Sequence, residues 1–173
     1  MWPAVVTTPA PTSREASGME IKELGHLVLY VRNVERSAAF YRDVLGFRQI
    51  MPDPSGDNPL RFPAAAFSSG RTHHELLLIE VGEDAASQPQ GRRLGLYHFG
   101  LKVGDTDDEL RAVLDHIVAA GVQIAGASDH TVTHSLYIYD PDGNEIELYV
   151  DVPEVDWRND PSLFAAPIRP LRL

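Results

Sequence analysis

Residues 24–47 read LGHLVLYVRNVERSAAFYRDVLGF, and this stretch predicts a strand followed directly by a helix. Its first part, residues 24–31, is a short apolar run typical of a strand, and it carries His26. Asn33 suits the N-cap of the helix, and Gly46 suits the left-handed position at which a helix ends. Three further strand-like runs follow, at 47–51, 62–67 and 74–81.

The second half of the chain repeats this order. A strand-like run at 97–103 carries His98, and Thr106 and Glu109 form the capping box of the next helix. Gly121 is expected to end that helix. Three strand-like runs follow, at 122–125, 135–139 and 145–150, and the last two are joined by the turn DPDGN at 140–144. Each half therefore predicts the order βαβββ.

The repeat predicts an α+β fold with two paired βαβββ modules that form a half-open mixed-sheet barrel around a metal site. The whole unit covers residues 21–151, with modules at about 22–82 and 96–151. Residues 1–20 are rich in Pro, Thr, Ser and Ala, and we expect a disordered lead-in there. Residues 152–173 are expected to form a C-terminal strap over apolar surface.

The composition excludes several classes of partner. A formal net charge of -10 argues against nucleic acid and against an anionic membrane surface. No apolar stretch is long enough to span a bilayer. The chain contains no cysteine, so any metal must be held by nitrogen and oxygen, and a cytoplasmic location is expected.

Three residues on these runs are candidate metal ligands: His26, His98 and Glu147. Two neutral imidazoles and one carboxylate can hold a divalent ion on one face and leave positions open for substrate and oxygen. An ionised glutamate that points inward from an apolar strand is costly unless it is paired or coordinated. His26 and His98 occupy matching places in the repeat, and Glu147 corresponds to Glu75.

Motifs in both modules resemble the vicinal-oxygen-chelate superfamily, which includes glyoxalases, epimerases, antibiotic-resistance proteins and extradiol ring-cleaving dioxygenases. They are GHLVLYV at 25–31, AFYRDVLGF at 39–47, and DPDGN at 140–144 followed by Glu147. The superfamily fold of paired βαβββ modules agrees with the repeat. Within it, the spacing of His130, Tyr137 and Glu147 is similar to the signature of single-unit, catechol 2,3-dioxygenase-like extradiol enzymes.

That resemblance implies an Fe(II)-dependent extradiol dioxygenase of aromatic catabolism, which inserts O2 into a catechol-type aromatic and cleaves the ring adjacent to the diol. Mn, Ni, Co and Zn are the alternative metals. His74 would act as base and later as acid, and His130 and Tyr137 would donate hydrogen bonds to substrate or oxygen. Single-unit members of the superfamily commonly pair, so we expect a homodimer or a higher homo-oligomer.

Two other functions remain open on the sequence. Because successive strand residues face opposite sides, His74 and Glu75 cannot both point into the cavity without a bulge. An inward Glu75 would be a fourth ligand and would indicate a metal-dependent glyoxalase-like lyase or epimerase. The repeat offset favours Glu75, whereas the resemblance around His130 and Tyr137 favours His74, which we expect. The other possibility is a metal-free resistance protein that binds a small molecule.

Overall fold

The computed structural model describes residues 19–52, 59–89 and 91–173. Nearly all of the expected disordered lead-in, residues 1–20, lies outside these ranges. In chain order the elements are β1 (Leu27–Val31), α1 (Val34–Ala39), a π-helical turn (Phe40–Val44), β2 (Arg48–Met51), β3 (Ala64–Ser68), β4 (Leu76–Glu80), β5 (His98–Gly104), α2 (Asp107–Ala119), β6 (Gly126–Asp129), β7 (Thr133–Tyr139), β8 (Glu145–Asp151), a 3-10 helix (Pro161–Ala165) and β9 (Arg169–Pro170).

The strands form two sheets of the same plan, which confirms the predicted α+β class and the βαβββ repeat. The first sheet has the order β1-β4-β3-β2, and the second has the order β5-β8-β7-β6-β9. The first strand of each module runs parallel to the last, and the remaining pairs are antiparallel. Among the described residues no strand pair joins the two sheets, so the predicted half-open barrel does not close within one chain.

The first helix begins and ends where the sequence indicates. The side chain of Asn33 accepts a hydrogen bond from the backbone N–H of Arg36 at 2.8 Å, which satisfies an otherwise unpaired donor of the first turn. The helix then widens into the π-helical turn Phe40–Val44, which buries its first two side chains. Gly46 follows with φ +73°, the left-handed conformation that glycine adopts at low cost.

The second helix is capped as predicted, but the strand after it begins later than expected. Thr106 Oγ1 accepts from the backbone N–H of Glu109 at 3.3 Å, which is the N-cap hydrogen bond. The predicted strand at 122–125 is wrong, because β6 begins at Gly126, opposite Tyr137, directly after a hydrogen bond of 2.7 Å from the N–H of Ala125 to the Tyr137 carbonyl. The apolar side chains that suggested a strand there pack against the core instead.

The DPDGN turn connects the two modules. Asp140 is buried and accepts a hydrogen bond from the hydroxyl of Tyr41 at 2.8 Å. Asp142 accepts from the backbone N–H of Arg32 at 3.2 Å and from Ser37 Oγ at 2.9 Å. Burial and the nearby Asp140 carboxylate raise the pKa of Tyr41 above its usual range. The turn of the second module therefore holds the start of the first helix.

The residues after β8 return along the second sheet. Strand β9 pairs with β6, and Leu171 and Leu173 pack against the main core. Within the described ranges, no helix combines the length and the apolar character that a bilayer crossing requires.

Candidate metal centre

Alternation along β8 places two carboxylates on one face of the second sheet. Ile146, Leu148 and Val150 enter the core, so the residues between them point away from it. We call this surface the site face, and its members include His98, Gly100, Tyr137, Glu145, Glu147 and Tyr149.

His98, the first residue of β5, lies between two carboxylates of the neighbouring strand. Its Nε2 is 3.3 Å from Glu147 Oε2, and its Nδ1 is 3.4 Å from Glu145 Oε1. Among the described side chains, Nδ1 of His98 is one of the few buried polar atoms without a hydrogen-bond partner. An imidazole and a carboxylate side by side, with a second carboxylate behind the ring, are the donors that suit iron, manganese or zinc.

Tyr137 and His130 extend this pair by hydrogen bonds. The hydroxyl of Tyr137 donates to Glu147 Oε1 at 3.2 Å, and its oxygen lies 2.7 Å from Nε2 of His130. Burial and the nearby Glu147 raise the pKa of Tyr137 to about 12. The hydroxyl therefore keeps its proton at neutral pH and is available as a donor on the site face.

Gly100 leaves space on the site face beside Tyr149 and Glu147. A Cβ atom at this position would lie 3.1 Å from Cε1 of Tyr149 and 3.7 Å from Glu147 Oε2. The absence of a side chain therefore lets the Tyr149 ring lie over β5 and leaves the Glu147 carboxylate accessible beside it.

The other predicted residues lie together at one end of the first sheet, with His26 just before β1 and His74 two residues before β4. The rings of His26 and His74 have centroids 4.6 Å apart, and Nδ1 of His74 lies 2.5 Å from Nδ1 of His73. Partial burial and the two neighbouring histidines lower the pKa of His74, so its uncharged, proton-accepting form prevails at neutral pH.

Glu75 has other partners. Its carboxylate accepts hydrogen bonds from Ser69 Oγ at 2.7 Å and from Arg71 Nε at 3.1 Å. Burial opposes ionisation of Glu75, but the Ser69 hydrogen bonds and the Arg71 charge outweigh it and lower the pKa. The side chain beside His26 is therefore that of His74, while Glu75 is held by its own loop.

One chain does not gather the three predicted ligands around a single point. In the described part of the chain, no group of three or more His, Asp or Glu side chains is arranged to hold one metal ion. His98 and Glu147 are adjacent, whereas His26 lies just before β1, the edge strand of the other sheet. His26 is kept apart from His98 because the two modules contact each other through the DPDGN turn and the helices, and not through strand edges. One of these contacts places Nε2 of His116 2.9 Å from the Val44 carbonyl.

Two features of the site face were missed at the sequence level. Glu145 could have been found, because it lies two residues before Glu147 and must share its face. Trp157 and Phe164 border a cavity next to Glu147, but they belong to an irregular segment whose position no periodicity indicates.

Comparisons with known proteins agree with this architecture. The family model described as glyoxalase/bleomycin resistance protein/dioxygenase superfamily matches residues 23–148. The chain is 34% identical over 141 residues to a catechol-2,3-dioxygenase from Bacillus subtilis, which covers 82% of the chain and 46% of the relative. It is 32% identical over 136 residues to a biphenyl-2,3-diol 1,2-dioxygenase from Paraburkholderia xenovorans, over 77% of the chain and 42% of the relative. The chain thus spans less than half the length of both relatives.

Solved structures share the fold. A glyoxalase/dioxygenase from Nostoc punctiforme superposes with a TM-score of 0.60 at 23% identity, over 83% of this chain and 99% of that one. The fosfomycin resistance protein FosX from Listeria monocytogenes gives a TM-score of 0.57 at 18% identity, over 78% and 98%. The repeated βαβββ modules and the family match lead to one conclusion: the chain belongs to the glyoxalase/bleomycin resistance protein/dioxygenase superfamily.

Proposed function

We propose that this protein is an Fe(II)-dependent extradiol dioxygenase that cleaves a catechol-type aromatic ring adjacent to its diol. The observation that carries the proposal is the site face, where His98 and Glu147 are adjacent and Tyr137 and His130 are hydrogen-bonded to the same carboxylate. The relatives named as catechol and biphenyl-diol dioxygenases support the reaction class.

We further propose that two copies of the chain share each site. Strands β1 and β5 are edge strands, with a hydrogen-bonded neighbour on one side only among the described strands. His26 immediately precedes β1, and His98 begins β5. If β1 of one copy lies alongside β5 of another, His26 and His74 approach His98 and Glu147, and both edges are covered. A two-fold dimer forms two such sites.

In this assembly the proposed metal ligands and the proposed acid–base histidine would meet at one site. His26 of one copy with His98 and Glu147 of the other would hold the metal, and Glu145 would orient the His98 ring. When bound, Fe(II) supplies Lewis-acid and redox chemistry for the diol and dioxygen. Nε2 of His74, the nitrogen that does not face His73, accepts a proton from a diol hydroxyl and later returns it.

Tyr137 completes the arrangement as a neutral donor. Its hydroxyl, supported by His130, can turn from Glu147 towards a negatively charged oxygen of the substrate. Because His74 and not Glu75 lies beside His26, the residues favour ring cleavage over a lyase or epimerase with a fourth carboxylate ligand.

The reaction class is tested by iron analysis of anaerobically purified protein together with oxygen uptake over substituted catechols. We expect iron to be bound, oxygen to be consumed and a yellow ring-fission product to form. His26→Ala should lose iron, whereas His74→Gln should keep iron and lose turnover. Inactivity towards every catechol, with isomerase or lyase activity on Ni, Co or Zn, would overturn the proposal.

Sharing of the site is tested by mixing two inactive variants, His26→Ala and Glu147→Gln. In a mixed dimer one site carries both defects and the other carries neither. Random reassociation of equal amounts should therefore restore about a quarter of the wild-type activity. If each site were built from one chain, the mixture would stay inactive.

A further inference from the structure

A cavity of about 250 Å³ opens on the site face next to Glu147. Glu147, Tyr149 and Asp151, which alternate along β8, form one side of it. Trp157 and Phe164, from the segment after β8, form another. The proposed metal ligand and two aromatic rings therefore border the same space.

Trp157 and Phe164, which we call the aromatic wall, are held in place by contacts within their own segment. The Trp157 and Phe164 rings meet edge to face, with centroids 6.3 Å apart and planes inclined by 72°. The Arg158 guanidinium carbon lies 4.3 Å from the centre of the Trp157 ring, within the range of a cation–π contact. The side chain of Asp160 accepts from Ser162 N–H at 3.1 Å and caps the short helix that carries Phe164.

The segment is also anchored at both ends. Before the wall, the backbone N–H of Val152 donates to the Val132 carbonyl at 3.0 Å. After the wall, β9 pairs with β6, and Leu173 packs against the core. The position of the wall over the second sheet is thus determined on each side of Trp157 and Phe164.

The wall leaves apolar surface uncovered beside a carboxylate. Trp157 is 37% exposed and Phe164 is 69% exposed. An aromatic ligand would cover this surface by stacking or edge-to-face contact, while polar groups at its other end remain next to Glu147. A cavity of roughly 150 Å³ can hold benzene, so about 250 Å³ accommodates one substituted ring, and a second ring exceeds this volume.

We propose that Trp157 and Phe164 bind the aromatic ring of the substrate and restrict the site to single-ring diols. This inference rests on the proposed function and deepens it, because it names the substrate class. Catechols with small substituents fit the cavity, whereas a diol that carries a second aromatic ring exceeds its volume, so the second ring gains no contact with Trp157 and Phe164.

The test measures binding of catechol and of biphenyl-2,3-diol to Fe(II)-loaded full-length protein without oxygen, so that no turnover is needed. The chain has two tryptophans, and a Trp2→Phe background leaves Trp157 as the only fluorophore of this type. We expect catechol to quench Trp157 fluorescence and to bind more tightly than biphenyl-2,3-diol. In Trp157→Ala and Phe164→Ala, calorimetry should show this preference reduced at least about tenfold.

Ile168→Ala is the matched control, because Ile168 is an exposed apolar residue of the same segment that does not border the cavity. It should keep the preference of the parent protein, and circular dichroism should show that all variants fold. If catechol binds but the preference is unchanged in both wall variants, this inference is wrong and the proposed function stands. If neither diol binds the loaded parent protein, the proposed function itself fails.

Discussion

Tyr137 connects the candidate ligand Glu147 to His130 by hydrogen bonds, so its hydroxyl is the most direct single-atom test of the site face. Tyr137→Phe removes this donor and leaves the ring and both proposed ligands in place. We expect unchanged iron content and a turnover number about 100-fold lower, the usual loss for one donor to a developing negative charge.

Tyr139→Phe is the control for this variant. Tyr139 is the last residue of β7, is half exposed, and donates to Glu145 at 3.2 Å. Its removal should leave turnover near the wild-type value. Equal turnover in Tyr137→Phe and the wild type would show that the Tyr137 hydroxyl has no part in the reaction.

Because Tyr41 is buried, we expect the free energy of unfolding to depend on its ionisation at alkaline pH. Burial and Asp140 raise the pKa of Tyr41 in the folded state, whereas an unfolded tyrosine has a pKa of about 10. Below pH 10 both states keep the proton, and the stabilisation is complete. Above pH 10 the unfolded chain loses the proton first, so the free energy of unfolding falls as pH rises.

The measurement compares urea unfolding of the wild type and Tyr41→Phe from pH 8 to pH 11. At pH 8 the variant should be less stable by about 1–3 kcal/mol, because a buried hydrogen bond to a carboxylate is lost. Above pH 10 the difference should shrink. A constant difference over this range would mean that Tyr41 ionises equally easily in both states.

At the scale of elements, the DPDGN turn connects the two modules, and a substitution of Asp142 tests the strength of this connection. Its carboxylate accepts from the start of α1 through Arg32 N–H and Ser37 Oγ, and Arg36 Nη2 lies 3.0 Å away. Asp142→Ala leaves these donors without their partner. We expect a loss of about 1.5–3 kcal/mol in the free energy of unfolding, measured by urea denaturation.

Asp43→Ala provides the comparison within the same module. Asp43 forms an exposed ion pair with the adjacent Arg42 at 2.7 Å, and such pairs contribute little. Its replacement should leave the unfolding free energy close to that of the wild type. Equal effects of Asp43→Ala and Asp142→Ala would contradict a connecting role for the turn.

At the scale of the whole molecule, a substitution on the exposed face of β1 tests whether two copies share the site. Tyr30 is 71% exposed and Val28 is 44% exposed, and they alternate with buried residues on the strand that follows His26. A lysine here would be buried against a second copy without a partner. Tyr30→Lys should therefore yield a folded monomer in sedimentation equilibrium that no longer retains iron.

Val118→Lys is the matched control for this substitution. Val118 is 59% exposed on α2, away from both strand edges. The variant should remain a dimer with iron bound. A Tyr30→Lys protein that is monomeric and still retains iron would show that one chain completes the metal site alone.

The sequence by itself determined the local structure. The helix caps at Asn33 and Thr106, the glycine that ends each helix and the order of strands follow from residues close together in the chain. The proximity of His98 and Glu147 follows from the same kind of reasoning. Both lie on strands that pair within one module, and alternation fixes which side chains share a face.

The tertiary structure alone decided how the modules meet. Asp140 and Asp142 contact residues about 100 positions earlier, and these contacts hold the modules together through helices and a turn, so that the sheets stay separate. The separation of His26 from His98 is a consequence of that packing. Likewise, the carboxylate of Glu75 accepts hydrogen bonds from Ser69 and Arg71. The alternation of side chains along a strand could not predict these contacts. Contacts between distant segments depend on packing and burial across the whole core, so the residue pattern within a single element does not predict them.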